Sequence, residues 1–299
     1  MINIRQRNLT ALIAVLVLVA GFLAGQVFRA TPANAVYGLY QVTSQPTSYN
    51  SQPFKYSEAP CNIGDVVVGG GASVDDDSQS GGKVPLVRLE PNHYVQGGVD
   101  RYRYIAEARE PVAGFAGNWF LVTYAICAPQ TFLGYEIVPS PAASPSSQAF
   151  QSAKATCPTG KRVIGTGARV RFAGDGGDNG PGELGLQLSR SSGARDISRA
   201  TAREDADGYS GTWTLSSYAV CAQGLAATVQ GQVSNTAEAV ARCGDSTQVH
   251  GAGGGGSLTD SGPVFLHEVI PYAGSNGAVK VSMTGPPVGG VAAQALCAA

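Results

Sequence analysis

The sequence predicts an all-β protein built from three tandem repeats, and two observations lead to that prediction. After position 35, glycine supplies 38 of 264 residues, about twice its usual share, which favours tight turns over long helices. The stretch GNWFLVTYAICA at 117–128 also returns as GTWTLSSYAVCA at 211–222, an offset of 94. Self-similarity of this kind indicates a repeated structural unit.

The match continues upstream of these two stretches. Residues 106–119 align with 200–213 without a gap, and CNIGDVVVGGGASV from Cys61 aligns with CPTGKRVIGTGARV from Cys157 at an offset of 96. A third, more divergent copy contains CGDSTQVHGAGGGG from Cys243 but lacks the tryptophan and tyrosine of the other two. The chain therefore contains three copies of one unit.

Within each copy, hydrophobic alternation and Gly- and Asp-rich turns indicate short antiparallel strands. In copy two the predicted strands are RVIGTGARVRF, ELGLQLSR, ISRATARE and TWTLSSYAVCA. We expect about four strands per copy, folded into small sandwich- or prism-like units. The predicted division of the chain is a helical signal segment at 1–35, repeat 1 at 36–129, repeat 2 at 130–223 and a degenerate repeat 3 at 224–299.

The first 35 residues have the pattern of a secretory signal. Arg5 and Arg7 precede an apolar run at 9–28, and small residues follow at Ala33 and Ala35. This pattern predicts a signal peptide cleaved near Ala35, with an uncleaved membrane anchor as the alternative. Without the segment, 17 basic and 21 acidic residues remain, a net charge of −4. So small a charge gives no reason to expect nucleic acid or a membrane surface as a partner.

All six cysteines follow the signal segment, and an even count in an exported chain predicts three disulfides. Each copy has one cysteine near its start and one at its end, so the simplest pairing lies within copies. In the chain-entropy model, closing a loop of about 65 residues contributes roughly 4 kcal/mol. The predicted bridges are Cys61–Cys127, Cys157–Cys221 and Cys243–Cys297.

The segments GYEIV, ATCPTGKRVIGTGARV and TWTLSSYAVCA together resemble the small cysteine-framed β modules of actinobacterial secreted proteins, which are also attached to collagen-like or tail-fibre-like chains. The resemblance is clearest over 134–222, fair over 38–128 and weak over 224–299. It implies an extracellular structural or adhesive module without catalytic activity. A looser analogy, of architecture alone, connects the three copies to β-prism proteins, although each copy is longer than a β-prism blade requires.

Two features that repeat in copies one and two, and are missing from copy three, are candidates for a ligand site. The first feature is an Ala-Arg-Glu sequence at the end of a strand. The second is an aromatic residue in a glycine-bounded turn just before the tryptophan strand. Arginine and glutamate suit a sugar or a peptide carboxylate, and aromatic rings bind sugar faces. Alternatively, the charges pair at the surface and each aromatic covers its own core. The candidate residues are Arg109, Glu110, Phe115, Arg203, Glu204 and Tyr209.

Signals for metal binding and catalysis are weak. The acidic loops at 75–82 and 174–182 contain clustered carboxylates that could bind calcium, but the second loop lacks the oxygen ligand at the third position of an EF-hand loop. We therefore expect solvated turns there, with no metal and no other cofactor. Ser246 and Ser261 lie outside any catalytic-triad context, and the histidines at 93, 250 and 267 do not supply one. We predict no catalytic residue.

Together these features predict a secreted, non-enzymatic extracellular binding or structural module, lectin-like or associated with the cell surface. Its expected partner is an extracellular glycan or a cell-surface protein. The alternative is a secreted hydrolase of the glycosidase type, whose two carboxylates leave no sequence signature, or a protease inhibitor. An enzyme would have a deep pocket with converging polar groups, whereas a module would have shallow repeated surfaces.

Overall fold

The protein has the all-β fold that its sequence predicts. A computed structural model describes residues 38–76, 84–111, 115, 117–130, 132–173, 183–256, 264–274, 276–285 and 289–298. Within these ranges the regular structure consists of eighteen strands. No helix of membrane-spanning length and apolarity occurs in the same ranges.

Each copy contributes six strands, because two strands precede the four that lie between the cysteines. Copy one contains β1 (Tyr40–Thr43), β2 (Phe54–Pro60), β3 (Asp65–Asp76), β4 (Leu86–Gln96), β5 (Val99–Arg109) and β6 (Trp119–Pro129). Copy two contains β7 (Glu136–Pro139), β8 (Phe150–Thr156), β9 (Arg162–Phe172), β10 (Leu184–Ser191), β11 (Ile197–Glu204) and β12 (Trp213–Ala222). Copy three contains β13 (Ala227–Ser234), β14 (Glu238–Arg242), β15 (Gln248–Gly255), β16 (Leu266–Tyr272), β17 (Ala278–Met283) and β18 (Val291–Ala298).

The eighteen described strands form three antiparallel six-stranded sheets, and two copies share each sheet. The strand orders are β1-β6-β3-β16-β17-β14, β2-β5-β4-β9-β12-β7 and β13-β18-β15-β10-β11-β8. At the centre of each sheet, the third strand of one copy pairs with the fourth strand of another: β3 with β16, β9 with β4, and β15 with β10. This cyclic pairing closes the three copies into one prism-like body.

The third strands meet where the three copies converge, and a repeated glycine allows the contact. Gly69, Gly165 and Gly251 occupy the same position in the three copies, eight residues after the first cysteine. A β-carbon on Gly165 would lie 1.9 Å from the Val68 carbonyl oxygen, and β-carbons on the other two would lie 2.5 and 2.3 Å from carbonyl oxygens of a neighbouring copy. Only glycine fits so close a backbone approach.

A disulfide joins the first and last cysteines of each copy, as the repeat predicts: Cys61–Cys127, Cys157–Cys221 and Cys243–Cys297. These bridges indicate that the protein folds in an oxidising environment. The tryptophan strands β6 and β12 turn Trp119 and Trp213 into the core, where both side chains are fully buried. In each of these strands, the face that carries the tryptophan and the cysteine therefore packs inward.

Candidate functional site

The two glutamates of the predicted ligand site are buried beside the tryptophans. The Trp119 indole Nε1 donates a hydrogen bond to Glu110 Oε1 at 2.7 Å, and Trp213 Nε1 donates to Glu204 Oε1 at 3.1 Å. Both tryptophans are fully buried, so each indole N–H requires an acceptor inside the protein. The repeated glutamate supplies that acceptor. Copy three has no tryptophan at this place, so it has no need of the glutamate and lacks it too.

In copy one a buried lysine completes this arrangement. Lys55 Nζ lies 4.6 Å from the Trp119 ring centroid and donates hydrogen bonds to the Ser48 carbonyl oxygen at 2.8 Å and to the Asn50 side chain. Burial lowers the pKa of Lys55, and the charge of Glu110 opposes that shift. The lysine therefore ties the segment before β2 to the tryptophan.

The turn aromatics fold back onto the glycine of their own turn. A β-carbon on Gly117 would lie 2.7 Å from the Phe115 ring, and one on Gly211 would lie 2.6 Å from the Tyr209 ring. Both rings are half-buried and pack against the core, and the Tyr209 ring stands edge-on to Phe172 at 5.6 Å between centroids. The spacing from aromatic to glycine thus reflects packing within the turn.

The two predicted arginines lie in different surroundings. Arg109 is buried, with its guanidinium 4.5 Å from the Phe54 ring centroid and 5.0 Å from that of Phe172 in copy two. Arg203 is half-buried on β11 and lies opposite Phe150. Copy one's arginine therefore contacts the same phenylalanine as copy two's Tyr209. The contacts described here are packing contacts within the protein, and a ligand-binding role for the six residues stays a prediction.

Several residues weighed for metal binding or catalysis lie partly or wholly outside the described residues. These include the acidic loop at 174–182, most of the loop at 75–82, and Ser261. Among the residues described, no group of three or more His, Cys, Asp or Glu is placed to hold a metal ion. His250 and His267 are buried, and each places Nδ1 within 3.0 Å of a backbone carbonyl oxygen. Ser246 lies in an exposed turn with a positive φ of 64°.

The structure brings together a set of residues that the sequence does not reveal. On the sheet surface of each copy that faces away from the tryptophan core, here called the outer face, one residue from the second strand, one from the fifth and one from the fourth lie directly opposite one another. In copy one, Ile105 and Glu90 of this surface are buried, whereas all three residues of copy two are at least partly exposed. In copy two, Ser198 and Ala200 flank Arg199 and are fully buried, so Arg199 points to the outer face. The three rows are Glu58–Ile105–Glu90, Lys154–Arg199–Arg190 and Val240–Lys280–Ile270.

The charged residues of these rows differ in their ion pairing. In copies one and three, every charged row residue has a partner of opposite charge. These pairs include Glu58–Arg103, Glu90–Arg88 at 2.6 Å, Lys280–Glu238 at 3.0 Å and Lys280–Glu268 at 3.1 Å. The row of copy two, here called the cationic row, consists of Lys154, Arg199 and Arg190, and none of the three forms an ion pair with any residue in the described ranges.

A cavity of about 320 Å³ opens at one end of the cationic row. Arg190 and Arg199 line it together with Ser192, Gly193 and Gln294. The Gln294 side chain is fixed there, because it accepts a hydrogen bond from the Ser191 N–H at 2.7 Å and donates one to the Ser191 carbonyl oxygen at 2.9 Å. Partial burial and then the nearby charge of Arg199 lower the pKa of Arg190, although a guanidinium stays protonated at physiological pH.

No protein-family model matches the chain, and no curated protein matches it.

Proposed function

We propose that the protein is a secreted, non-enzymatic binding module that recognises carbohydrate outside the cell. One observation carries the proposal: the three copies repeat their interior and differ on their outer faces. The disulfides and the convergent glycines recur in all three copies and the tryptophan–glutamate pairs in two, whereas the outer rows carry different charges in each copy. A scaffold that is fixed inside and varied outside is the arrangement expected of a binding module.

The cavities that the structure describes also favour binding over catalysis. They lie open on sheet faces, and the carboxylates and histidines of the interior are engaged in structural contacts. Glu110 and Glu204 accept indole hydrogen bonds, and Arg88 lies 2.5 Å from Glu107 in a buried ion pair. Shallow, polar surfaces of this kind suit an oligosaccharide or polysaccharide, which lies along a face rather than within a deep pocket.

Secretion is part of this proposal and has two supports. The signal-like pattern of residues 1–35 predicts export, and the three disulfides require an oxidising compartment. A cell-surface polysaccharide is then the most accessible carbohydrate ligand.

A glycan array and a panel of immobilised cell-wall polysaccharides, probed with the purified protein, test the proposal. We expect binding to at least one class of glycan, with the polymer recovered unchanged in length. A fluorophosphonate probe provides the enzyme arm of the experiment, and we expect no labelled serine. Shortening of a bound polysaccharide or labelling of Ser246 would contradict a non-enzymatic module.

A further inference from the structure

The cationic row places like charges opposite one another with no acidic partner among the described residues. Arg88 also lies opposite Arg169, but Glu90 forms ion pairs with both. Like charges placed directly opposite each other on neighbouring strands are destabilising. Arg190 lies opposite Arg199, and Arg199 lies opposite Lys154, so three positive side chains stand side by side across three strands. The whole chain carries a net charge of −1, so three adjacent positive charges are a local concentration in a nearly neutral protein.

The acidic side chain in the adjoining turn is already hydrogen-bonded within that turn. The turn between β10 and β11 contains Asp196, whose carboxylate accepts a hydrogen bond from Ser192 Oγ at 2.6 Å. The Asp196 N–H in turn donates to Ser192 Oγ, so the carboxylate is held in its own turn. On the same strands, the outer-face residues next to the row are Ser152, Thr156, Ile197 and Thr201, which carry no charge. An external anion is therefore the natural partner of the row.

We infer that the cationic row binds the oxyanion groups of an acidic polysaccharide, with one sulfate or carboxylate held between Arg190 and Arg199 in the 320 Å³ cavity. The inference rests on the proposed function and names its ligand class. Two guanidiniums present planar, paired N–H donors that match the oxygens of a sulfate or a carboxylate. Gln294 and the turn at Ser192 and Gly193 form the rim of the cavity.

The position of Lys154 favours a polymer over a single anion. Neighbouring strands lie about 4.8 Å apart, so the row spans roughly 10 Å from Arg190 to Lys154. That length is comparable with two successive sugar units of an extended chain. A first oxyanion in the cavity and a second over Lys154 would both be satisfied by a polysaccharide that crosses the strands.

Binding to dextran sulfate, with uncharged dextran as the matched polymer, tests the inference. Calorimetric titration of the full chain at constant ionic strength should show binding to dextran sulfate only. Each charge-assisted hydrogen bond is worth roughly tenfold or more in affinity, so Arg190→Ala and Arg199→Ala should each weaken binding at least about tenfold. Arg171→Ala is the control, because Arg171 is an exposed arginine on β9 of a different sheet, and it should bind as the wild type does.

The remaining outcomes test the ligand class and the proposed function separately. Dextran sulfate binding that survives both substitutions would overturn the site but leave carbohydrate binding intact. Failure to bind dextran sulfate, together with neutral glycan binding on the array, would overturn the inference alone. Equal binding of duplex DNA, with the same arginine dependence, would overturn the assignment to a polysaccharide. The melting temperature of each variant should not fall below that of the wild type, so that weaker binding cannot be attributed to loss of folding.

Discussion

Equivalent positions of the three copies have the same residue type where the copies converge in the interior, and different residue types on the outer faces. Where the copies converge, Gly69, Gly165 and Gly251 repeat one residue type, because backbone of one copy touches backbone of the next. On the outer faces, the equivalent rows read acid–apolar–acid in copy one, all cationic in copy two, and with one cation in copy three. Close packing therefore constrains the first region and leaves the second free to differ.

That difference separates the residues that build the fold from those that can act on a partner. The repeated Ala-Arg-Glu and turn-aromatic features look functional in the sequence because they recur. In the structure, their glutamates hold tryptophans and their aromatics lie over glycines. Recurrence in this protein accompanies packing, and the candidate for binding is the row that recurs in position but not in charge.

The largest effect is expected where the three copies converge. Gly165→Ala would place a β-carbon 1.9 Å from the Val68 carbonyl oxygen, so backbone of two copies would have to move. We expect a loss of about 4 kcal/mol or more in the free energy of unfolding, or failure to fold, measured by urea denaturation. Gly244→Ala is the control, because no heavy atom lies within 4 Å of its added carbon. Equal stability of the two variants would contradict the close approach.

A second difference between the copies predicts a pH effect. His250 occupies the position held by Val68 and Ile164 in the other copies, and burial lowers its pKa from 6.5 to about 4. Because the folded pKa lies below the unfolded value, unfolding takes up a proton between these pH values. The stability is complete above pH 6.5 and falls by about 3 kcal/mol as the pH drops through 4.

Urea denaturation at pH 7 and pH 4 measures this effect. His250→Val, which introduces the residue of copy one, should remove most of the difference between the two pH values. An unchanged pH dependence in this variant would mean that another group controls acid stability.

The sequence predicts the interior well because the interior follows from the repeat. The predicted cysteine pairing and all-β class match the structure, and β9 and β11 have the predicted bounds. The first two strands of each copy were not predicted. β1 and β7 have only four residues each, too few for an alternation pattern, and β8 begins inside the Pro/Ser-rich segment at 139–152, whose composition is typical of a loop.

The outer rows could not be predicted, because they depend on strand register. Lys154 precedes its cysteine by three residues, as Glu58 does, so this position is visible in the sequence. Arg190 faces Arg199 because the turn between β10 and β11 sets a register in which Ser191 lies opposite Ser198. A slip of one residue would turn Arg190 to the other face of the sheet, and the sequence pattern alone does not fix the register to one residue.

The turn aromatics provide a direct test of which region binds. Phe115→Ala and Tyr209→Ala remove half-buried rings that pack against the core. We expect each to cost about 2 kcal/mol in the free energy of unfolding while dextran sulfate affinity stays at the wild-type value. Loss of affinity with unchanged stability would instead place the ligand site at these turns, as the sequence alone suggested. Thermal melts and calorimetry on the same samples distinguish the two results.

The smallest expected effect concerns repulsion within the cationic row. Arg190→Glu would convert a like-charged cross-strand pair into an ion pair with Arg199. In the absence of ligand, we expect a gain of about 0.5–1 kcal/mol, which should decrease as salt screens the charges. Arg171→Glu controls for the change in net charge. A loss of stability in Arg190→Glu at low salt would show that the arginines do not repel each other.

Exchange of the outer row between copies tests the central claim most directly. Lys154→Val combined with Arg190→Ile gives copy two the row of copy three, with one cation left at Arg199. We expect the melting temperature to stay close to that of the wild type and dextran sulfate binding to fall at least about a hundredfold, since two cationic contacts are removed. Wild-type affinity in the exchanged protein would contradict the claim that the outer face of copy two binds the ligand.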